Sequence, residues 1–309
     1  RARSGEVVFS EIPHQRPTGM FGFVMNTRSP QFADWRVREA MIQAFNYEFI
    51  NQTQNGGEEP RITSYFSNSV LSMEPGPARG RVLELLQPFA GDLLPGALEG
   101  YSFPVSDGRE ANRAGIREAL RLMEEAGYNV IDGVMTGPDG RPFAFDIVLR
   151  QGSAENQAII NIYTEALTRL GIAPNVTTID SAQYGERIDA FDYDMTYFQR
   201  GVSLSPGNEQ YLYWGCDMAE TEGSRNLMRA CNPAIDAMIG EMLTSDSQEN
   251  YRAAVRALDR VLTSGRYVIP IWYSPISRIA HDRRLRYPET LPIYGDWLGF
   301  QPDVWWWEE

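Results

Sequence analysis

At 309 residues, 43% hydrophobic and 22% charged, the chain is long enough to bury a sizeable core as one large domain or two ordinary ones. Its formal net charge of −13 argues against nucleic acid or an anionic membrane surface as a main partner, because both are held by clustered cations. All 28 basic residues are arginine, which excludes every mechanism that needs a lysine, from the phosphate-binding loop to the Schiff base and the Ser-x-x-Lys pair.

Glu6 to Ile12 reads as a strand, and Gly19 to Asn26 as a second, buried one. Asp34 is an N-cap for a helix through Asn46, with Val37, Met41 and Phe45 inward and Arg36, Arg38 and Glu39 mainly outward. From Gln52 to Pro104 the chain reads as an irregular covering segment with one helix, Ala78 to Gln87. Asp107 to Gly127 is an amphipathic helix closed by glycine. Gly-Pro-Asp-Gly within Val130 to Arg141 marks a tight turn between two strands. Then come a strand (Phe143 to Arg150), a helix (Glu155 to Leu170), a strand (Ile172 to Ile179), a helix N-capped by Ser181 (to Ala190) and a strand (Tyr193 to Gln199). That alternation predicts an α/β fold with a sheet at least partly parallel. Two helices follow, Asn232 to Leu243 and Asp246 or Ser247 to Leu262. Tyr267 to Ser274 is a buried strand that Pro270 places at an edge or bend. Asp282 to Glu309 reads as loop, ending in Trp305, Trp306 and Trp307.

The stretch Asp192 to Glu209 organises the functional reading. It begins as a strand and opens into a loop, Arg200 to Glu209, kept irregular by Gly201, Pro206 and Gly207. A buried strand that opens into hydroxyls, an amide, an arginine and a glutamate is how an α/β lobe presents groups to a ligand. Arg200 could hold a carboxylate bidentately, while Ser203, Ser205 and Asn208 offer neutral hydrogen bonds. Tyr211 and Trp214 are candidate apolar walls; Trp272 is assigned to core packing first and to a wall second. Catalytic and metal patterns are missing. His14 and His281 stand apart from cysteines and acid clusters, so neither a zinc site nor another metal or cofactor is expected. There is no Gly-x-Ser-x-Gly elbow and no Gly-x-Gly-x-x-Gly fingerprint. A glycosidase pair stays open, because acids are many and no spacing singles two out. Cys216 and Cys231 are spaced either for a disulfide across a short loop, worth roughly 3 kcal/mol and implying an oxidising compartment, or as two buried thiols; the polar stretch between them favours the bond. The sequence starts at Arg1 with no signal-like segment, so either processing removed one or the chain begins partway through a longer protein.

Several segments together resemble the extracellular solute-binding proteins of family 5, the peptide-binding subunits of ABC importers. They are Phe23-Val-Met-Asn-Thr-Arg-Ser-Pro-Gln-Phe-Ala-Asp-Trp-Arg-Val-Arg-Glu-Ala-Met, Gly223-Ser-Arg-Asn-Leu, Asn232-Pro-Ala-Ile-Asp and Val268-Ile-Pro-Ile-Trp-Tyr. Ser203-Leu-Ser-Pro-Gly-Asn-Glu-Gln and Ser64-Tyr-Phe-Ser-Asn-Ser resemble the YejA-like oligopeptide-binding subgroup. The resemblance implies a bilobal fold of the periplasmic binding protein type (type II, cluster C), of which this chain is the C-terminal half. Residues 1–27 would be part of the first lobe and a hinge strand, 28–264 the far, ligand-binding lobe, and 265–309 the return hinge strand and the end of the first lobe. It further implies capture of a peptide or peptide-like ligand in the periplasm of a Gram-negative bacterium, delivery to ABC permease subunits, and a missing N-terminal half as partner. Where oligopeptide-binding members carry an Asp for the peptide's α-ammonium, this sequence carries Ser203. Glu209 is then the alternative partner, or the ligand lacks a free ammonium. The competing readings are a bilobal sensor or scaffold, and a hydrolase of peptides or glycans.

Overall fold

The structure, a computed structural model, describes residues 5–296 and 304–309. In chain order its strands are β1 (Val7–Pro13), β2 (Met20–Met25), β3 (Asn129–Ile131), β4 (Val134–Thr136), β5 (Asp146–Arg150), β6 (Asn175–Ile179), β7 (Met195–Arg200), β8 (Val268–Pro270), β9 (Ile276–Asp282), β10 (Leu285–Arg286) and β11 (Trp306–Trp307). The helices are α1 (Trp35–Ala44), α2 (Tyr47–Asn55), α3 (Gly80–Leu86), α4 (Arg113–Glu125), α5 (Ala154–Thr168), α6 (Ser181–Asp189), α7 (Glu209–Trp214), α8 (Pro233–Leu243) and α9 (Gln248–Ser264).

Five strands form the main sheet in the order β6-β5-β7-β2-β8. Strand β5 is parallel to β6 and β7, as the strand–helix–strand alternation predicts, while β2 runs antiparallel to both β7 and β8. Alternation along each strand feeds two cores. Phe23, Met25, Ile147, Leu149 and Met195 point to the face covered by α1, α2, α4 and α5. Met20, Val24, Val148 and Phe198 point to the opposite face, covered by α3 and α6 to α9. Having apolar residues on both faces is what buries most of each central strand. Pro270, which has no N–H for a ladder, ends the edge strand β8. Outside the main sheet, β1 and β9 form an antiparallel ribbon with Val7 opposite Asp282 and Pro13 opposite Ile276. Two chain segments therefore run side by side from this ribbon into the sheet, β1 into β2 and β8 out to β9.

Several local expectations are corrected. Phe45 takes an extended conformation that ends α1, and a second helix, α2, begins at Tyr47. Arg38 and Glu39 are buried, not outward. Arg38 donates to the carbonyls of Phe32 (2.7 Å), Ala33 (2.9 Å) and Gly265 (3.1 Å), and Glu39 pairs with Arg266 at 2.7 Å. The covering segment that reads as irregular lies over that side of α1, so these charges are enclosed and must find partners. Helix α4 starts at Arg113, because Asn112 sits in the left-handed region. Asp180, not Ser181, caps α6, accepting from the N–H groups of Ala182 (2.9 Å) and Gln183 (3.1 Å). Only Val268–Pro270 of the expected strand to Ser274 pairs as a strand, and the expected C-terminal loop contains the end of β9 with the β10–β11 pair. The covering segment is pinned to α9, where the Asp259 carboxylate accepts from the N–H groups of Tyr65 and Met73, each at 2.8 Å.

Candidate ligand-binding site at the crossing strands

Because β2 is antiparallel to both neighbours, its N-terminal end meets the C-terminal ends of β7 and β8: Met20 lies opposite Arg200, and Gly22 opposite Pro270. Three loops therefore leave the sheet at one edge, outside the carboxyl ends of two strands, where α/β sheets receive ligands. They enclose a cavity of about 660 Å³. One wall is His14, Arg16, Pro17, Thr18 and Phe21; a second is Gly201, Val202 and Ser203; a third is Trp272, Tyr273 and Ser274, with Tyr294 at the rim. Aromatic rings thus supply contact area, and a few hydroxyls and two ring or guanidinium groups supply direction.

The close approach of two walls depends on Gly19. It has φ +70°, and a Cβ there would lie 2.0 Å from the carbonyl oxygen of Arg200. The first wall is fixed from behind by the covering segment. Thr18 N–H donates to Ser67 O (2.9 Å), and Asn68 Nδ2 donates to the carbonyls of His14 (3.1 Å) and Arg16 (3.0 Å). The Arg16 guanidinium donates to Ser277 Oγ (2.7 Å) and Tyr294 O (2.9 Å) and lies 3.5 Å from Asp296. Burial, followed by the Arg16 charge, lowers the His14 pKa against the opposing pull of Asp296. A neutral imidazole is therefore what the cavity presents at neutral pH, with Nδ1 accepting from Arg16 N–H at 3.3 Å.

The residues expected from the loop Arg200 to Glu209 divide. Ser203 lines the cavity, and its Oγ accepts from the Ser205 N–H at 3.1 Å. Trp272 is half-buried; it packs against the core on one side and forms a cavity wall on the other. Arg200, Ser205, Asn208, Glu209, Tyr211 and Trp214 do not line the cavity. Arg200 ends β7 on the side of α7, with its guanidinium carbon 4.3 Å from the Tyr213 ring centroid; its pKa is lowered by burial first. Asn208 and Glu209 are taken up in starting α7, a helix the loop reading missed. Burial would raise the Glu209 carboxyl, but hydrogen bonds from Gly207 N–H (2.9 Å) and Gln210 Nε2 (3.1 Å) outweigh it and hold the pKa below its usual value. Tyr211 is on the exposed side of α7. Trp214 is wholly buried, donates from Nε1 to Gln210 Oε1 (2.7 Å) and packs edge-on against Tyr65 at 5.1 Å, so it is a core residue in this structure. Cys216 and Cys231 are bonded and close the loop after α7.

Sequence reading missed His14, Arg16, Thr18, Phe21 and Tyr294. None sits in a motif, and the available signal was positional: His14 to Gly19 joins two strands beside the returning segment. Among the described residues no cluster of His, Cys, Asp and Glu could hold a metal ion, and no helix is long and apolar enough to cross a membrane.

A crevice at the carboxyl ends of strands, walled by crossing segments, is a ligand site of the α/β type. The chain belongs to the bacterial extracellular solute-binding proteins, family 5, whose middle-region model matches residues 4–221. It is similar to a Brucella melitensis protein named only as a binding protein (39% identical; 98% of this chain, 48% of that one). It is likewise similar to two Agrobacterium fabrum proteins, "Peptidoglycan-binding protein YepA" (37% identical; 98% of this chain, 48% of that one) and "Probable peptide-binding protein YejA" (36% identical; 98% and 49%). The YejA-like resemblance stands with these relatives. The chain spans about half the length of the curated relatives it matches. The fold matches that of the oligopeptide-binding protein AppA from Bacillus subtilis, solved with a nonapeptide (TM-score 0.71, 16% identical; 98% of this chain, 53% of that one). The family and the fold are those of binding proteins.

Proposed function

We propose that this chain is the C-terminal half of a substrate-binding subunit of an ABC importer. The whole protein captures an oligopeptide or peptide-like solute and delivers it, chemically unchanged, to permease subunits at the membrane. The observation that carries this reading is the cavity at the crossing strands. Its aromatic walls (Phe21, Trp272, Tyr273) and sparse polar groups (Ser203, Ser274, Arg16) suit a flexible ligand with a repeating polar backbone. The names of YepA and YejA and the nonapeptide in AppA point to the same ligand class. Residues 28–264 form the far lobe, and β2 and β8 serve as hinge strands. The β1–β9 ribbon, with Phe9 left 74% exposed, belongs to the first lobe, most of which the N-terminal half supplies. The periplasm of a Gram-negative bacterium suits the bonded cysteine pair.

Full-length protein titrated calorimetrically with peptides of graded length and with peptidoglycan fragments tests this. Saturable binding is expected, weakened about tenfold or more by Trp272→Ala through the loss of a large aromatic contact, in a variant that still unfolds cooperatively well above the titration temperature. No binding to any of these ligands, or their conversion to products, would overturn it.

A further inference from the structure

An arginine-lined concavity of this acidic chain lies away from the crossing strands. It is a cavity of about 550 Å³ between α3, α9 and the covering segment, and it shares no lining residue with the candidate ligand site. Arg79 and Arg81 enter from the start of α3, and Arg252, Arg256 and Arg260 from α9. The i, i+4 spacing of the last three puts them on one stripe, an arrangement that weakens a helix unless the charges are neutralised. One of the three is, and a second is held by backbone carbonyls. Arg256 pairs with Glu74 at 2.5 Å, and Arg260 donates to the carbonyls of Ala97 (3.1 Å), Glu74 (2.8 Å) and Gly76 (2.5 Å). Arg81 makes long pairs of 3.4 Å with Glu84 and Glu241. Arg79 and Arg252 are exposed and have no hydrogen bond or ion pair among the described residues. Five guanidiniums and two carboxylates, Glu74 and Glu249, line the cavity, and Glu84 and Glu241 on Arg81 bring the local charge to +1, in a chain of −13.

We propose that this cavity binds a phosphate-bearing anion, held by Arg79 and Arg252 and supported by Arg81. A single carboxylate presents its acceptors in one plane and would leave one of the two unpartnered guanidiniums, Arg79 or Arg252, without a charged acceptor. The tetrahedral oxygens of a multiply charged phosphate accept from guanidiniums arriving from two helices at once. The same chemistry is offered by a free polyphosphate and by a phospholipid headgroup.

Inorganic pyrophosphate, titrated calorimetrically into the full-length protein at constant ionic strength, should bind saturably. Losing two charge-assisted contacts in Arg79→Ser/Arg252→Ser should weaken it roughly tenfold or more. Arg109→Ser removes a charge at a site 85% exposed outside the cavity and should leave binding unchanged. A parallel arm measures co-sedimentation with phosphatidylglycerol vesicles against phosphatidylcholine vesicles. Variant-sensitive binding to pyrophosphate alone assigns a free anion; variant-sensitive binding to the acidic vesicles assigns a headgroup. Both substituted side chains are exposed, so matching thermal melts certify the fold. Binding in neither arm, or equal loss in the double variant and Arg109→Ser, overturns the proposal.

Discussion

Replacing Glu39 by Gln should be among the most destabilising changes that leave side-chain shape nearly intact. The Glu39 and Arg266 side chains are 10% and 6% exposed and meet at 2.7 Å. Glu39 also accepts from Tyr101 Oη and Gln43 Nε2, each at 2.8 Å. Arg266 in turn donates to the carbonyls of Pro95 (2.8 Å) and Ser264, and its guanidinium carbon lies 4.2 Å from the Tyr101 and 4.8 Å from the Trp35 ring centroids. The amide removes the only carboxylate among the described residues within the guanidinium's hydrogen-bonding reach and turns an acceptor into a donor among donors. Leaving a buried charge without its partner costs about 3–5 kcal/mol. At roughly 2 °C or more of melting temperature per kcal/mol for a chain of this size, a fall of about 6–10 °C follows. Denaturant unfolding of the full-length protein measures it. Glu39→Gln/Arg266→Met should be less destabilised than Glu39→Gln alone, because no unpaired charge remains buried. A single-variant loss under about 1 kcal/mol, or a double variant worse than the single, would refute the reasoning.

Three further outcomes are expected. Serine at both Cys216 and Cys231, separated by 15 residues, should lower stability by about 3 kcal/mol through the freed unfolded chain, read by the same unfolding titrations. Burial raises the Asp259 pKa to about 6 from 3.8, against hydrogen bonds from Ser64, Met73, Tyr65 and Phe66. The folded state therefore holds this proton more tightly. That stabilisation is present in full below about pH 3.8 and is lost as pH rises through 6; wild type minus Asp259→Asn should fall by about 3 kcal/mol across that window, and a flat difference would sink the assignment. Ser203→Asp, placing a carboxylate on the cavity wall, should favour peptides with a free N-terminus over their acetylated forms by roughly tenfold in calorimetric titrations.

The parallel part of the sheet was legible because its strands and helices alternate with clean periodicity, and β2 and β8 because their apolar runs are bounded by turn residues. Helix α7 was not, because Asn208 and Glu209 sit directly after Pro206 and Gly207 and read as loop. The outward assignment of Glu39 failed for a different reason. Periodicity finds the apolar stripe of a helix but cannot see that an irregular segment will cover its polar side. At the candidate site, chain order led to Ser203 through the strand that opens into its loop. Arg200 lies off the cavity because side chains alternate along β7, which sends it to the α7 face while the backbone just beyond it lines the cavity. Trp214 reads as a candidate wall because α7, which turns it into the core, is not legible in the sequence.

The position of the cavity wall is decided less by the sheet than by the segment with the least regular structure. Residues 63–78 form no helix or strand, yet Ser67 and Asn68 hold the backbone of His14 to Thr18 on one side. On the other side, the N–H groups of Tyr65 and Met73 end on Asp259, and the carbonyls of Val70, Glu74 and Gly76 end on Arg256 and Arg260. Apart from the two made by the Asn68 side chain, these bonds use backbone groups of the segment that a helix or strand would otherwise have satisfied internally. The buried charges of α9 therefore do the work that a ladder does elsewhere. They give a loop one conformation, and through Asn68, whose left-handed φ of 64° aims its amide at two carbonyls, they give the ligand cavity one shape. An Asn68→Gly substitution keeps the left-handed backbone without strain and removes that link, so it should loosen the wall and weaken ligand binding in calorimetric titrations while sparing the two cores on either side of the sheet.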